Sequence, residues 1–207
     1  MKYLFALITL STLASCNLFY KAVFGIKDPK IENYHSINQY VKKFEIDSTS
    51  VVFTKDSASY FDLNRMFVGS PEIIIFNKSN KFIPYKSDSI SCNASVDVVL
   101  KGICTIDSTK AIMHRQVDYK EFIDKLDDHN RTLASLTKDG YDFLVFVDFA
   151  KYFHKVNANH IPGWNKAIDS HYGTCKTKII YVNLDYLDTW HISKNSLPTF
   201  KLSANKK

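Results

Sequence analysis

A continuous apolar run at positions 143–147, Phe-Leu-Val-Phe-Val, constrains the fold of this chain more than any other stretch. A strand that is apolar at every position is covered on both faces, which is typical of a parallel or mixed sheet. A helical apolar face follows over 161–172, with Pro162 tolerated in the first turn, and a second apolar strand covers 179–184. Residues 141–185 therefore predict one βαβ unit with a right-handed crossover.

The chain ahead of this unit also predicts alternating helices and strands. Ser36 and Gln39 have the spacing of a capping box, and apolar residues follow at helical spacing. A strand at 51–54 and a helix capped by Asp56 or Ser57 come next. These elements predict that the ordered domain opens at Ser36.

Ser70-Pro71 then introduces a buried-type strand at 72–76, and an alternating segment at 81–85 completes a predicted hairpin. Asn93 is placed to cap a helix that extends to Ile103. A last helix is predicted from Asp118, with Tyr119, Phe122, Ile123 and Leu126 on its apolar face.

The order helix, strand, helix, proline, hairpin, helix over residues 36–103 resembles the carboxy-terminal half of the thioredoxin-like fold. In that fold a proline, usually cis, precedes the first strand of the hairpin, so the resemblance makes Pro71 a structural proline. The βαβ unit precedes this half in thioredoxin-like proteins but follows it here. The chain is therefore either a rearranged relative or a simpler three-layer α/β domain, and the predicted fold class is α/β, with a mixed sheet flanked by helices.

The amino-terminal sixteen residues resemble a bacterial lipoprotein signal. Lys2 precedes an apolar run at 3–13, which ends in Leu-Ala-Ser-Cys at Cys16. The run is too short for a membrane-spanning helix, which needs about 20 residues. The resemblance implies cleavage before Cys16, lipid on that cysteine, and export to the bacterial cell envelope, with anchorage in the outer membrane.

The predicted domain organisation follows from this signal. Residues 1–15 form the signal peptide, 16–35 a lipidated tether, 36–200 a single α/β domain and 201–207 a polar tail. The hydrophobic fraction of 45% and the charged fraction of 23% are those of a globular protein, which argues against disorder.

The net charge of +6 is spread over lysines, because the only arginines are Arg65, Arg115 and Arg131. An exported chain without an arginine cluster does not point to nucleic acid. The expected partners are the membrane, through lipid on Cys16, and an unknown envelope protein or glycan.

Cysteines offer one catalytic hypothesis. A redox thioredoxin has a Cys-x-x-Cys pair after its central strand, but residues 149–157 contain no cysteine. If 93–103 is helical, Cys92 and Cys104 lie about 18 Å apart, too far for a disulfide. One of them can pair with Cys175 and leave the other free. Cys92 and Cys175 are therefore weak candidates for a reactive thiol.

Other site candidates are few. His154, His160 and His171 do not have the spacing of helical metal ligands, so neither a metal nor a cofactor is expected. Asp148 ends the apolar strand, where ligands meet open α/β sheets, and is a weak catalytic candidate. It can equally be a cap or a salt-bridge partner.

Two interpretations of function remain open from the sequence. The first is a lipid-anchored envelope protein with a non-catalytic binding or scaffolding domain, and the second is a thiol-dependent oxidoreductase or peroxidase-like enzyme that uses Cys92 or Cys175. Catalysis is the less favoured of the two.

Four tripeptides that begin with Asp-Ser resemble the sequon that Bacteroidota use for O-glycosylation of exported proteins. They begin at Asp47, Asp56, Asp88 and Asp107.

Overall fold

The computed structural model describes residues 21, 23–67, 70–85, 94–106, 116–130, 133, 140–170 and 174–198. The predictions for the signal peptide, for Cys16, for Cys92 and for the tail at 201–207 lie outside these residues.

A five-stranded mixed sheet forms the centre of the domain. The strand bounds are β1 Ile31–Glu32, β2 Val51–Thr54, β3 Ile73–Asn77, β4 Leu126–Asp127, β5 Phe143–Phe149, β6 Thr177–Asn183 and β7 Tyr186–Leu187. The order of the strands in this sheet is β3-β5-β6-β2-β4. Strands β2, β5 and β6 are parallel to one another, and the outer strands β3 and β4 are antiparallel to their neighbours. A separate parallel pair joins β1 to β7.

Helices cover both faces of the sheet. The bounds are α1 Tyr34–Val41, α2 Ser57–Met66, α3 Ala94–Lys101, α4 Tyr119–Ile123 and α5 His154–Asp169. The core consists of two clusters, one on each face of the sheet. On one face α1, α3 and α5 pack against every second residue of the strands, and on the other face α2 and α4 pack against the intervening strand residues. In the described parts of the chain, no helix has both the length and the apolar character that a membrane crossing requires.

The predicted βαβ unit is present as β5, α5 and β6. The two strands pair in parallel from Phe143 opposite Thr177 to Phe149 opposite Asn183. The expectation for Pro162 was wrong, because α5 begins at His154 and Pro162 lies in its interior. Residues 154–160 are mostly polar and therefore give no apolar periodicity. Burial of Trp164 and its apolar neighbours on α5 offsets the backbone hydrogen bond that a proline removes.

The first helix begins before the predicted position. Asn33 caps α1 by accepting from the Ser36 amide at 2.8 Å, while the Ser36 hydroxyl accepts from the Asn33 amide at 3.3 Å. Ser36 is thus the third helical residue and completes the capping box from the other side. Ile26 is buried and Ile31 pairs with β7, so packing on the domain extends into the segment predicted as a tether.

The second strand of the predicted hairpin is reduced to a single bridge between Phe76 and Phe82. The peptide bond between Ser70 and Pro71 is cis, as the thioredoxin-like resemblance implies. The helix predicted from Asp118 is shorter than expected, because α4 stops at Ile123 and Leu126 belongs to β4.

Candidate functional site

The carboxyl ends of the three parallel strands meet at one edge of the sheet, and a cleft of about 340 Å³ opens there. Ligands of open α/β sheets bind at this edge. The segment ahead of α1 forms one wall of the cleft, and residues that follow β5 and β6 form the other. The lining residues are Lys27, Asp28, Lys30, Glu32, Tyr40, Lys43, Lys151, Tyr152, His154 and Asp185.

Asp185, two residues beyond the end of β6, is the buried carboxyl group of this cleft. Its side chain is 1% exposed, and both of its oxygens accept from the Lys151 amide at 3.0 Å. Asn183 donates to Oδ2 at 2.8 Å. Burial raises the pKa of Asp185 to about 7, and these hydrogen bonds oppose the rise. A carboxyl group with this pKa changes charge near neutral pH.

Lysines dominate the charge of the cleft. The Lys151 ammonium group pairs with Glu32 across the cleft, so this lysine is held in place by an acid from the opposite wall. Lys27, Lys30 and Lys43 are exposed at the rim. Four lysines face three acids, Asp28, Glu32 and Asp185, and protonation of Asp185 makes the balance more positive. The cleft therefore favours an anionic ligand.

A hydrogen-bonded group on the helical side supports the cleft wall. The Tyr40 hydroxyl accepts from the Asn157 amide group at 3.0 Å and lies 3.2 Å from His154 Nδ1. Asn157 also donates to the Ala150 carbonyl at 2.8 Å, so α1 and α5 are tied to the chain that leaves β5. Burial raises the pKa of Tyr40 to about 12, and the phenol stays neutral. Tyr40 therefore offers the cleft a fixed neutral hydroxyl.

Asp148, the predicted strand-end residue, does not line this cleft. It is fully buried on the face covered by α2 and α4, where Oδ1 accepts from the Glu72 amide. Burial raises its pKa well above the ordinary range, and the neighbouring Glu72 raises it further. The nearby Ser70 hydroxyl lowers the pKa of Asp148 and so opposes this rise. Its geometry is not that of a hydrogen bond to Asp148 Oδ2. Asp148 therefore joins β5 to the chain after Pro71, in the manner of a structural cap.

Cys175 forms a disulfide with Cys104, with the Cα atoms 5.7 Å apart. This pairing matches one of the two alternatives that the spacing left open, and it contradicts a free thiol at Cys175. The residue precedes β6 and so lies at the opposite edge of the sheet from Pro71 and the cleft. The seven residues of β6 span about 23 Å. The disulfide links the segment that follows α3 to the start of β6, far from the candidate site.

The histidines lie apart. His154 lines the cleft, His160 packs near Trp164 with ring centroids 5.6 Å apart, and His171 is outside the described residues. Within the described ranges, no group of three His, Cys, Asp or Glu side chains is arranged to hold a metal ion.

A second cavity, of about 580 Å³, is larger but chemically plainer. It lies at the amino end of β5, between the segment around Phe82 and the start of α4. Its acid Asp118 already caps α4 by accepting from the Glu121 amide. Neither Asp118 nor Glu121 is buried, so this cavity lacks the buried ionisable group that distinguishes the first.

Sequence reasoning missed Asp185, Tyr40 and the lysines of the segment ahead of α1. Asp185 carries the same signal as Asp148, an acid at the end of an apolar strand, and that signal was available. The role of Lys27 and Lys30 depends on pairing of β1 with β7, which no local pattern indicates.

Comparison of the chain with models of protein families, with curated protein sequences and with solved structures found no match.

Proposed function

We propose that the protein is exported and anchored through lipid on Cys16 to the bacterial cell envelope, with the outer membrane as its site. The support is the signal at residues 1–16, read from the sequence. The rest of the chain is a domain that binds a ligand and needs no catalytic thiol.

We further propose that this domain is a divergent, rearranged relative of the thioredoxin-like fold. The cis bond before Pro71 leads into β3, and β3 pairs antiparallel with β5, the first strand of the βαβ unit. Strand β5 then leads into 149–157, which contains no cysteine. These relationships support the resemblance in strand arrangement without its redox pair.

The observation that carries the binding function is the lysine-rich cleft around buried Asp185. Its volume suits a small group, and its charge suits a phosphate or carboxylate. Tyr40 adds a neutral hydroxyl that can donate or accept a hydrogen bond. The ligand class is therefore a phosphorylated or carboxylated small molecule, lipid or glycan of the envelope.

Equilibrium binding of glycerol phosphate to the full chain tests this function. We expect saturable binding that weakens at least ten-fold in a Lys30→Gln, Lys43→Gln double variant, because both lysines line the cleft and contribute positive charge to it. The matched control is Lys81→Gln with Lys176→Gln, two exposed lysines at the opposite edge of the sheet. Absence of binding, or equal loss in both double variants, contradicts the proposal.

The competing interpretation, a thiol-dependent enzyme, now depends on Cys92 alone. Cys175 is disulfide-bonded, and the described residues that follow β5 up to Asn157 contain no cysteine. Thiol titration of the intact protein separates the two interpretations. A thiolate that forms well below the ordinary range for cysteine favours the enzyme, and ordinary titration favours the binding domain.

A further inference from the structure

Two exposed apolar side chains stand beside the lysine-rich cleft, on the same segment that forms its wall. Val23 and Phe24 are each 42% exposed, in a part of the chain that leads directly to Lys27 and Lys30. The Lys155 ammonium group donates to the Val23 carbonyl at 2.7 Å, which fixes this segment against the start of α5. The apolar pair and the cleft therefore belong to one surface.

The backbone around this pair is held in a defined shape. Gly25 has a φ of +62°, and a Cβ atom there would lie 2.6 Å from Lys155 Cβ. Only glycine adopts this φ without strain and leaves room for the close approach. The Lys27 amide then donates to the Tyr152 carbonyl at 2.9 Å. Val23 and Phe24 are therefore presented by a fixed turn.

The proposed anchor lies within short reach of this surface. Val23 follows Cys16 by seven residues, which span at most about 25 Å when fully extended. A lipid on Cys16 therefore holds Val23, Phe24 and the cleft close to the bilayer. Lysines beside exposed apolar side chains match an anionic membrane surface, where the charges meet headgroups and the apolar groups enter the interface.

We infer that the ligand of the cleft is the phosphate headgroup of an anionic phospholipid in the bilayer that holds the anchor. This inference rests on the proposed function and names its partner. Lys27 and Lys30 contact headgroups at the surface. One phosphate lies between Lys43 at the rim and Lys151, which Glu32 holds in place, and Val23 and Phe24 enter the interface. The domain then lies flat on the membrane in place of extending away from it.

The test uses the full chain, purified with its anchor and reconstituted into vesicles of phosphatidylcholine alone or with phosphatidylglycerol. Flotation with phosphatidylcholine vesicles reports the anchor. Amide hydrogen exchange over residues 23–30 reports docking, and we expect it to slow at least ten-fold only when phosphatidylglycerol is present. High salt should remove this protection, because the attraction is between charges near the surface.

Variants locate the contact. Lys27→Glu with Lys30→Glu should abolish the protection, Phe24→Ser should weaken it, and Lys81→Glu with Lys176→Glu should leave it unchanged. Equal exchange in both kinds of vesicle, with flotation intact, overturns the inference and leaves the anchor standing. Equal protection by glycerol phosphate or by an acidic polysaccharide on phosphatidylcholine vesicles overturns the lipid as ligand while the cleft keeps its function. Failure of flotation overturns the proposed anchor and the inference together.

Discussion

The hydroxyl of Tyr40 accepts a hydrogen bond from the buried side-chain amide of Asn157 at 3.0 Å. This bond joins α1 to α5 directly beside the cleft, and Asn157 has a second bond to the Ala150 carbonyl. Both residues are buried, so loss of this hydrogen bond leaves a polar group without a partner and lowers the free energy of unfolding. The position of the cleft wall therefore depends on this pair.

Tyr40→Phe should lower the free energy of unfolding by about 1–2 kcal/mol, because it removes a buried hydrogen-bond partner of Asn157. Asn157→Ala should cost more, since it also loses the bond to Ala150. Denaturant unfolding of the two single variants and the double variant forms a cycle, with an expected coupling of about 1 kcal/mol. Additive effects within error would show that the two side chains do not interact.

Asp185 predicts a specific dependence of stability on pH. Its carboxyl group titrates near pH 3.8 in the unfolded chain and near pH 7 in the folded one. The folded state therefore binds this proton more tightly, and the stabilisation, complete below about pH 4, is lost as pH rises through 7. Asp185→Asn should flatten the decrease in free energy of unfolding between pH 4 and 8. A slope that is the same in both proteins contradicts the assignment.

The same titration should tighten anion binding in acid. Protonation of Asp185 removes one negative charge that faces Glu32, Lys151 and His154 across the cleft. Inorganic sulfate, which keeps its full charge over this range, should bind more tightly at pH 6 than at pH 8, and Asp185→Asn should reduce this difference. An Asp185→Asn variant that keeps the whole pH effect would contradict this assignment.

The Cys104–Cys175 disulfide should contribute about 2–4 kcal/mol, because it closes a long loop in the unfolded chain. Reduction should lower the denaturant midpoint by the corresponding amount. The Cys104→Ser, Cys175→Ser double variant should have the same lower midpoint and no response to reductant. Glycerol phosphate binding should persist in the double variant, since the bond lies at the far edge of the sheet. Lost binding in a folded double variant would contradict that separation.

Two phenylalanines test which faces are buried. Phe122 on α4 is 0% exposed and packs on Phe76 and Phe146, whereas Phe61 on α2 is 55% exposed. Phe122→Ala should cost about 3–5 kcal/mol of unfolding free energy. Phe61→Ala should change it by less than about 0.5 kcal/mol. Similar costs for the two would mean that the second core cluster is wrongly placed.

Regular periodicity explains which parts of the fold were predictable from sequence. The run at 143–147 indicated a doubly covered strand, and its neighbours in the sheet are indeed parallel β6 and antiparallel β3. The first turns of α5 escaped prediction, because a mostly polar stretch has no apolar face to detect. The short strands β1, β4 and β7 were not predicted either, because two residues are too few to show a hydrophobic period.

The candidate site was less predictable than the fold. Asp148 and Asp185 both follow or end apolar strands, yet one is sealed beneath α2 and α4 while the other lines a cleft. Which acid reaches a cleft depends on the helices packed over it, and sequence spacing does not contain that information. Lys27 and Lys30 reach the site through the pairing of β1 with β7 and through the bond from the Lys27 amide to the Tyr152 carbonyl, and both contacts join parts of the chain that are far apart in sequence.

Mapping of a bound anion onto the backbone tests directly whether the cleft at the carboxyl ends of β5 and β6 is the binding site. Amide chemical shifts of the full chain are recorded during titration with glycerol phosphate. Saturating shifts are expected at Lys30, Lys151 and Asp185, and none at Lys81 or Cys175. Shifts centred on Lys81 and Tyr119, or no saturating shifts anywhere, would contradict that expectation.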